Sequence, residues 1–164
     1  MKILVTGGTG FIGSHTVVEL LNQNYEVVVI DNFSNSKPDV IEKIKEITNK
    51  DFSFYQGDVC DKLLLKEIFK DNKIDAVIHF AGYKAVGESV QKPLMYYRNN
   101  IDSTLSLCEI MSEYNCKNLV FSSSATVYGN PASLPIKEDF PLSTTNPYGS
   151  TKLYIEGILK DLYK

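Results

Sequence analysis

The stretch KILVTGGTGFIGSH at residues 2–15 decides the fold of this chain. Its apolar run predicts a buried strand, and Gly7, Gly8 and Gly10 follow that run where a helical pattern begins, with Gly13 inside the helix. Both G-x-x-G-x-x-G and G-x-G-x-x-G can be read there. Such glycines allow a tight turn and a close backbone approach, so that a pyrophosphate can rest on the helix N-terminus. The stretch therefore predicts a dinucleotide-binding turn.

The second strand-like run, at 26–30, ends at Asp31, eighteen residues beyond Gly13. A carboxylate at this place accepts hydrogen bonds from both adenosine ribose hydroxyls and repels a 2′-phosphate. The only arginine of the chain is Arg98, so no guanidinium near Asp31 offsets that repulsion. We therefore expect NAD rather than NADP. The competing interpretation is that Asp31 caps a strand end.

Strand-like and helical patterns alternate along the whole chain. The strand-like runs lie at 2–6, 26–30, 52–56, 75–80 and 118–122, and the helical patterns lie at 11–23, 38–49, 61–71, 93–114 and 147–164. This alternation predicts an α/β fold, a doubly wound parallel sheet of the Rossmann type with strand order 3-2-1-4-5. We expect one domain over 1–164, with its ligand crevice at the carboxyl ends of the strands.

Tyr148 and Lys152 lie four residues apart where the last helical pattern starts. Positions i and i+4 share one face of a helix, so the two side chains can approach each other. A free tyrosine has a pKa of about 10, and a cation nearby favours the phenolate. Together with the glycine-rich turn, the pair indicates hydride chemistry on an alcohol. Alone, it is equally typical of a solvated helix face.

Bulk properties exclude several classes of protein. The chain has 164 residues, 43% hydrophobic and 23% charged, which suits a globular domain. A net charge of -3 without a basic stripe argues against nucleic-acid and membrane-surface partners, and favours a small-molecule partner. Cys60, Cys108 and Cys116 form no C-x-x-C pair, and His15 and His79 are isolated, so no metal site is expected. We expect a cytoplasmic protein.

Six motifs together carry a resemblance to a known family. They are TGGTGFIGSHT at 6–16, DNFSNSK at 31–37, QGDV at 56–59, HFAGYKAVGESVQKPLMYYRNN at 79–100, SSSATVYG at 122–129 and YGSTK at 148–152. The chain resembles the extended short-chain dehydrogenase/reductase family over its whole length. Its AGYKAVGES segment is similar to the family's UDP-hexose 4-epimerases.

The resemblance implies catalytic roles for three residues. Tyr148 would be the base that takes the proton of the sugar 4-hydroxyl while hydride passes from C4 to tightly held NAD. Lys152 would assist Tyr148 and bind the nicotinamide ribose. Ser124 would hydrogen-bond the 4-oxygen, so that Ser124 and Tyr148 contact the substrate. The 4-keto sugar would then take hydride on its other face.

The resemblance also implies the cofactor contacts and a partner. The pyrophosphate would be held by Gly7, Gly10, Phe11, Ile12 and Gly13, and the adenosine ribose by Asp31, Asn32, Asn35 and Ser36. The adenine would contact Asp58 and Val59. The nicotinamide end would contact Phe80, Ala81, Gly82, Lys84 and Asn99, together with Ser124, Tyr148 and Lys152. For four of these residues an interpretation without any ligand stays open. Asp58 could be an acid near a helix N-cap, Lys84 a solvated side chain, Asn99 a polar helix residue and Ser124 a polar residue at a strand end. Helices 93–114 and 147–164 would form a homodimer face, although core burial explains their apolar residues equally well.

The chain departs from the family in its length. Family members are about twice as long, so we expect the fold to be truncated before the later strands and the C-terminal substrate domain, with strand 118–122 at the sheet edge. We expect this chain alone to bind NAD weakly or not at all and to epimerise little substrate. Two alternatives remain: another NAD-dependent sugar-nucleotide epimerase, dehydratase or reductase, and a non-catalytic nucleotide-binding fragment that needs a second chain. Ala125 and Thr126 stand where a dehydratase should carry an acid pair.

Overall fold

The computed structural model describes residues 1–163. The strands in these residues are β1 Lys2–Thr6, β2 Glu26–Asp31, β3 Ser53–Gln56, β4 Ala76–His79 and β5 Asn118–Phe121. The helices are α1 Phe11–Asn22, α2 Asp39–Thr48, α3 Lys62–Asp71, α4 Val86–Gln91, α5 Pro93–Glu113 and α6 Pro147–Leu162, and a 3-10 turn spans Ala125–Tyr128. Within the described part, no helix is long and apolar enough to cross a membrane.

The five strands form one parallel sheet with the order β3-β2-β1-β4-β5, which confirms the predicted α/β topology. The central strand β1 pairs Thr6 with Ile30 of β2 and with His79 of β4. The carboxyl ends of these strands therefore lie side by side, at the point where the chain order reverses. The strand β5 ends the sheet, and its Val120 is 63% exposed.

The chain divides into two compact units, of which the first comprises residues 1–81 and 103–122. It holds the whole sheet. Buried aliphatic residues form the middle of β1 and β2 without interruption, as in parallel sheets that are covered on both faces. One hydrophobic cluster joins the sheet to α3 and the second half of α5, and a second cluster joins it to α1 and α2. The sheet is thus doubly wound, as the sequence predicts.

The second unit comprises residues 82–102 and 123–164. Its elements are α4, the first half of α5, the 3-10 turn and α6. The sequence reading did not predict α4 or the 3-10 turn, because six and four residues are too few to establish a helical period. The single-domain interpretation of residues 1–164 stays a prediction.

Candidate functional site

The glycine-rich turn joins β1 to α1 in a conformation that only small residues permit. Gly7 has a φ of +68°, a region that favours glycine, and its carbonyl accepts the Gly10 N–H at 3.1 Å. A Cβ on Gly13 would overlap the same Gly7 carbonyl oxygen. The helix α1 therefore begins directly against the turn. Within residues 1–163 no side chain caps its first turn, so its leading N–H groups are left for another acceptor.

Asp31 ties the glycine turn to the loop after β2. Asp31 is buried, with 8% of its surface exposed. One carboxylate oxygen accepts the backbone N–H of Thr9 at 3.1 Å, and the other accepts the N–H of Phe33 at 2.9 Å and the Ser36 hydroxyl at 3.3 Å. Thr9 and Ser36 also share a hydroxyl hydrogen bond of 2.7 Å. Asp31 thus orders the turn as well as presenting an acceptor, which the sequence did not indicate.

The loops after β2 and β3 meet through Asn32 and Asp58. The Asn32 amide donates to Asp58 at 3.2 Å, and the second carboxylate oxygen of Asp58 accepts the Cys60 N–H at 2.8 Å. Asn35 is exposed, whereas Val59 is 4% exposed and belongs to the hydrophobic core. The residues that the resemblance implies for adenosine therefore lie on two loops that contact each other.

The loop after β4 packs against the glycine turn. A Cβ on Gly7 would lie 2.8 Å from the nitrogen of Ala81, so the two loops are in direct backbone contact. The Ala81 N–H donates to the Thr6 hydroxyl at 3.2 Å, and that hydroxyl also pairs with His79 Nδ1 at 2.7 Å. His79 is buried and supports this arrangement from beneath. In the first unit, the ends of β1, β2, β3 and β4 are thus linked into one edge.

The start of α6 holds Tyr148 in the second unit. Asn146 caps the helix by accepting the Gly149 N–H at 2.8 Å, and Pro147 occupies the first helical position, where its lack of an N–H does no harm. The Tyr148 N–H donates to the buried Ser89 hydroxyl at 3.1 Å. Two of the unpaired N–H groups at the helix end are therefore satisfied, and the half-buried tyrosine is fixed at its backbone.

Lys152 lies one turn further along α6 and is 6% exposed. Burial lowers the pKa of this lysine from 10.5 to about 8, because the ammonium loses water around it. The group still carries its proton for the most part at neutral pH. A cation is thus held in a largely dry place on the helix that carries Tyr148, one turn further along.

Ser124 immediately precedes the 3-10 turn and caps it. Its hydroxyl oxygen accepts the Thr126 N–H at 3.2 Å and the Thr126 hydroxyl at 2.9 Å. The neighbouring Ser123 hydroxyl donates to Glu156 Oε1 on α6. Ser124, Tyr148 and Lys152 consequently lie on segments that are hydrogen-bonded to one another within the second unit.

Asn100 organises the segment that follows Gly82. Its side chain is buried, accepts the Tyr83 N–H at 2.8 Å, and donates to the Tyr83 carbonyl at 2.9 Å and to the Thr151 hydroxyl at 3.1 Å. Asn99, which the resemblance implies for the nicotinamide end, donates to Asn100 at 3.0 Å, while Lys84 is exposed. The loop that carries Gly82 and Lys84 is thus anchored to α5 and α6.

The structure links the predicted residues in two groups. The first unit holds the glycine turn, Asp31, Asn32, Ser36, Asp58 and Ala81, and the second holds Ser124, Tyr148 and Lys152. Asn35 and Lys84 are exposed, and their contacts to the adenosine ribose and to the nicotinamide end stay predictions. Sequence reasoning missed Thr9, Ser89 and Asn100 and gave Thr126 no contact with Ser124, because short polar side chains carry no periodic signal. Only Thr9 could have been suggested by its position, since it stands between Gly8 and Gly10 of the glycine-rich turn.

A family model described as GDP-mannose 4,6 dehydratase matches residues 4–164. The chain belongs to the GDP-mannose 4,6 dehydratase family. This finding bears out the resemblance to extended short-chain dehydrogenases/reductases, whose glycine turn, Ser124 and Tyr-x-x-x-Lys pair the chain carries.

Individual relatives of this family are more specific. The chain is 60% identical to the UDP-glucose 4-epimerase of Bacillus subtilis over 163 residues, which cover 99% of this chain and 48% of that relative. It is 56% identical to the UDP-glucose 4-epimerase of Dictyostelium discoideum over 161 residues, 98% of this chain and 47% of that relative. The chain thus spans about half the length of the curated relatives it matches.

Solved structures agree with these relatives. The UDP-glucose 4-epimerase of Bifidobacterium longum, crystallised in complex with NAD+ and UDP, superposes with a TM-score of 0.98 at 54% identity, covering 99% of this chain and 49% of that one. The Brucella ovis UDP-glucose 4-epimerase in complex with NAD gives a TM-score of 0.89 at 42% identity, covering 98% and 47%. All four of these relatives and solved structures are UDP-glucose 4-epimerases, and none of the four is a dehydratase.

Proposed function

We propose that this chain is the NAD-binding and proton-transferring part of a UDP-glucose/UDP-galactose 4-epimerase. The observation that carries the proposal is the buried Lys152 one turn after Tyr148, on a helix joined to the Ser124 segment, in a chain 60% identical to such an epimerase. Ala125 and Thr126 in place of an acid pair favour epimerisation over elimination of water.

The residues of the first unit fit NAD. The uncapped first turn of α1, against the glycine turn, offers N–H groups to a pyrophosphate. An ionised carboxylate has about four lone-pair sites, and Asp31 uses three of them for Thr9, Phe33 and Ser36. One acceptor position is left for one ribose hydroxyl, and not for both as the sequence alone suggested. The negative charge of Asp31 disfavours a 2′-phosphate. Asn32, Asn35, Ser36, Asp58 and Val59 would complete the adenosine side.

The second unit supplies the groups that handle the proton and the sugar. NAD, held by these residues, would supply the reversible hydride acceptor for C4 of the sugar. Tyr148 takes the proton of the 4-hydroxyl as a general base, and the Lys152 ammonium favours its phenolate form. Ser124 donates a hydrogen bond to the 4-oxygen as charge develops there. The 4-keto sugar turns over, and Tyr148 returns the proton, so that the C4 epimer leaves with no net redox change.

The nicotinamide end would lie against Phe80, Ala81, Gly82, Lys84 and Asn99. Lys152 would also bind the nicotinamide ribose there. The support for this part is the anchoring of the Gly82 loop by Asn100, which gives that segment a fixed backbone.

The test replaces the matched segment of the Bacillus subtilis epimerase with this chain. The chimera should interconvert UDP-galactose and UDP-glucose without added oxidant, and it should retain NAD through purification. Tyr148→Phe should lower kcat by about 100-fold or more, because the general base is lost. Tyr163→Phe, at a tyrosine 93% exposed just beyond α6, should leave kcat unchanged.

Three other outcomes would replace the proposal. A stable 4-keto-6-deoxy sugar product would indicate a dehydratase. Conversion of UDP-N-acetylhexoses or uronates alone would indicate another epimerase of the family. A chimera that binds NAD but converts no substrate would indicate that this chain is a non-catalytic nucleotide-binding fragment. The 164-residue chain alone should epimerise little, because its relatives are about twice as long.

We further propose a homodimer through α5 and α6. Leu105 on α5 is 39% exposed and Tyr154 on α6 is 54% exposed, so each helix presents apolar surface. Light scattering that gives the monomer mass would contradict this proposal. A cytoplasmic location is also proposed, since Cys108 and Cys116 are reduced thiols, as in a reducing compartment.

A further inference from the structure

The hydroxyl group of Ser124 has its acceptor capacity filled by one residue. A serine oxygen accepts two hydrogen bonds and donates one. Thr126 supplies both donors, its backbone N–H at 3.2 Å and its own hydroxyl at 2.9 Å. With both acceptor positions occupied, the direction in which the Ser124 hydrogen points is set by Thr126.

Thr126 is itself held by the first turn of α6. Gly149, next to Tyr148, is buried and packs directly on Thr126. A Cβ at Gly149 would lie 3.0 Å from the Thr126 carbonyl oxygen, 3.2 Å from its hydroxyl oxygen and 3.3 Å from its Cβ. No side chain fits between the two residues. Thr126 therefore touches Ser124 on one side and the backbone that carries Tyr148 on the other.

We propose that Thr126 is a positioning residue that aims the Ser124 hydrogen at the C4 oxygen of the sugar and keeps Ser124 in register with Tyr148. The identity of that oxygen rests on the proposed function; the aiming of the hydroxyl does not. Thr126 acts through Ser124 and does not contact the substrate. Its backbone N–H would remain after a side-chain change, so the cap of the 3-10 turn persists and the side-chain hydroxyl can be tested separately.

The first measurement is the rotamer of the Ser124 hydroxyl in the 164-residue chain, from three-bond couplings between its Hγ and Hβ atoms, at a temperature low enough for the hydroxyl proton to exchange slowly with water. The unsubstituted chain and Thr126→Ser, which keeps the donor, should show one rotamer. Thr126→Val, which keeps the shape and loses the donor, should show averaged couplings. Thr126→Ala is the second variant if the valine does not fold. A single Ser124 rotamer in a folded donor-free variant overturns the proposal.

The second measurement is epimerase kinetics in the chimera. Thr126→Val should lower kcat about 5- to 10-fold, the worth of one oriented hydrogen bond, with KM within about 2-fold. Thr126→Ser should restore kcat. Thr144→Val, at a threonine whose hydroxyl pairs with Ser150 at 2.7 Å, is the matched control and should leave kcat unchanged.

A double substitution separates positioning from general support of the fold. In a Ser124→Ala background, Thr126→Val should cause no further loss, because its target is gone. Full additivity of the two losses overturns the proposal. A Ser124 rotamer that averages as expected, in a chimera whose unsubstituted form converts no UDP-hexose, supports the positioning role and refutes the proposed function instead.

Discussion

Replacing Lys152 with methionine measures how strongly a buried ammonium opposes folding. The lysine is 6% exposed, and burial lowers its pKa from 10.5 to about 8. At about 1.4 kcal/mol per pH unit, the interval between these values corresponds to roughly 3 kcal/mol of free energy of unfolding. Methionine has a similar length and no charge, so Lys152→Met removes this opposing contribution while it removes the proposed catalytic cation.

The sign of the effect follows from proton binding. Below pH 8 both the folded and the unfolded chain carry the proton, and the folded chain bears the full desolvation of the ammonium. Between pH 8 and 10.5 the unfolded chain binds more protons than the folded one, so the stability of the unsubstituted chain rises with pH. The free energy of unfolding of the Lys152→Met variant should therefore exceed that of the unsubstituted chain by up to about 3 kcal/mol at pH 7 and by about 1 kcal/mol at pH 9.5.

Urea unfolding followed by circular dichroism at both pH values provides the assay. Lys160→Met is the matched control, because Lys160 is exposed on the same helix. It should change the free energy of unfolding by less than about 1 kcal/mol at either pH. A Lys152→Met chain that is less stable than the unsubstituted chain at pH 7, or an advantage that does not shrink with pH, would refute the reasoning.

Three further substitutions follow from the contacts. Gly13→Ala should lower the free energy of unfolding by about 2–3 kcal/mol in urea, because the added Cβ would overlap the Gly7 carbonyl. The control Gly157→Ala lies in open space on α6 and should raise the free energy of unfolding by up to about 1 kcal/mol. Equal effects of the two substitutions would argue against the clash. Asp61→Ala should lose about 1 kcal/mol with its hydrogen bonds to the N–H groups of Leu63 and Leu64, and an unchanged urea midpoint would contradict the cap. Asp31→Asn should weaken NAD binding by the chimera about tenfold in calorimetry; unchanged affinity would remove Asp31 from the ribose site.

The sheet was predictable because strong local signals agree with one topology. Apolar runs bounded by glycine and polar residues define β1 and β2, and the glycine-rich turn after β1 is typical of the Rossmann type, whose strand order begins 3-2-1-4-5. The start of α6 was predictable for a similar reason, since Asn146 and Pro147 form a helix-start signal ahead of Tyr148.

The network around the site was not predictable in the same way. Asn100 joins Tyr83 to Thr151, which are far apart in sequence, and its amide has no pattern to reveal it. Likewise, Thr126 was considered only as the residue that replaces a dehydratase acid. Its packing on Gly149 depends on tertiary structure alone. The burial that lowers the pKa of Lys152 is a further tertiary effect, since spacing indicates only that Tyr148 shares its helix face.

The most direct test of the proposed epimerase chemistry follows the hydrogen at C4. UDP-galactose labelled with deuterium at C4 is incubated with the chimera, and the UDP-glucose formed is analysed by mass spectrometry. The account predicts that the product keeps its deuterium, because the hydrogen that leaves C4 as hydride returns to the same carbon without exchange with water. Replacement of the deuterium by solvent hydrogen at C4 would contradict it.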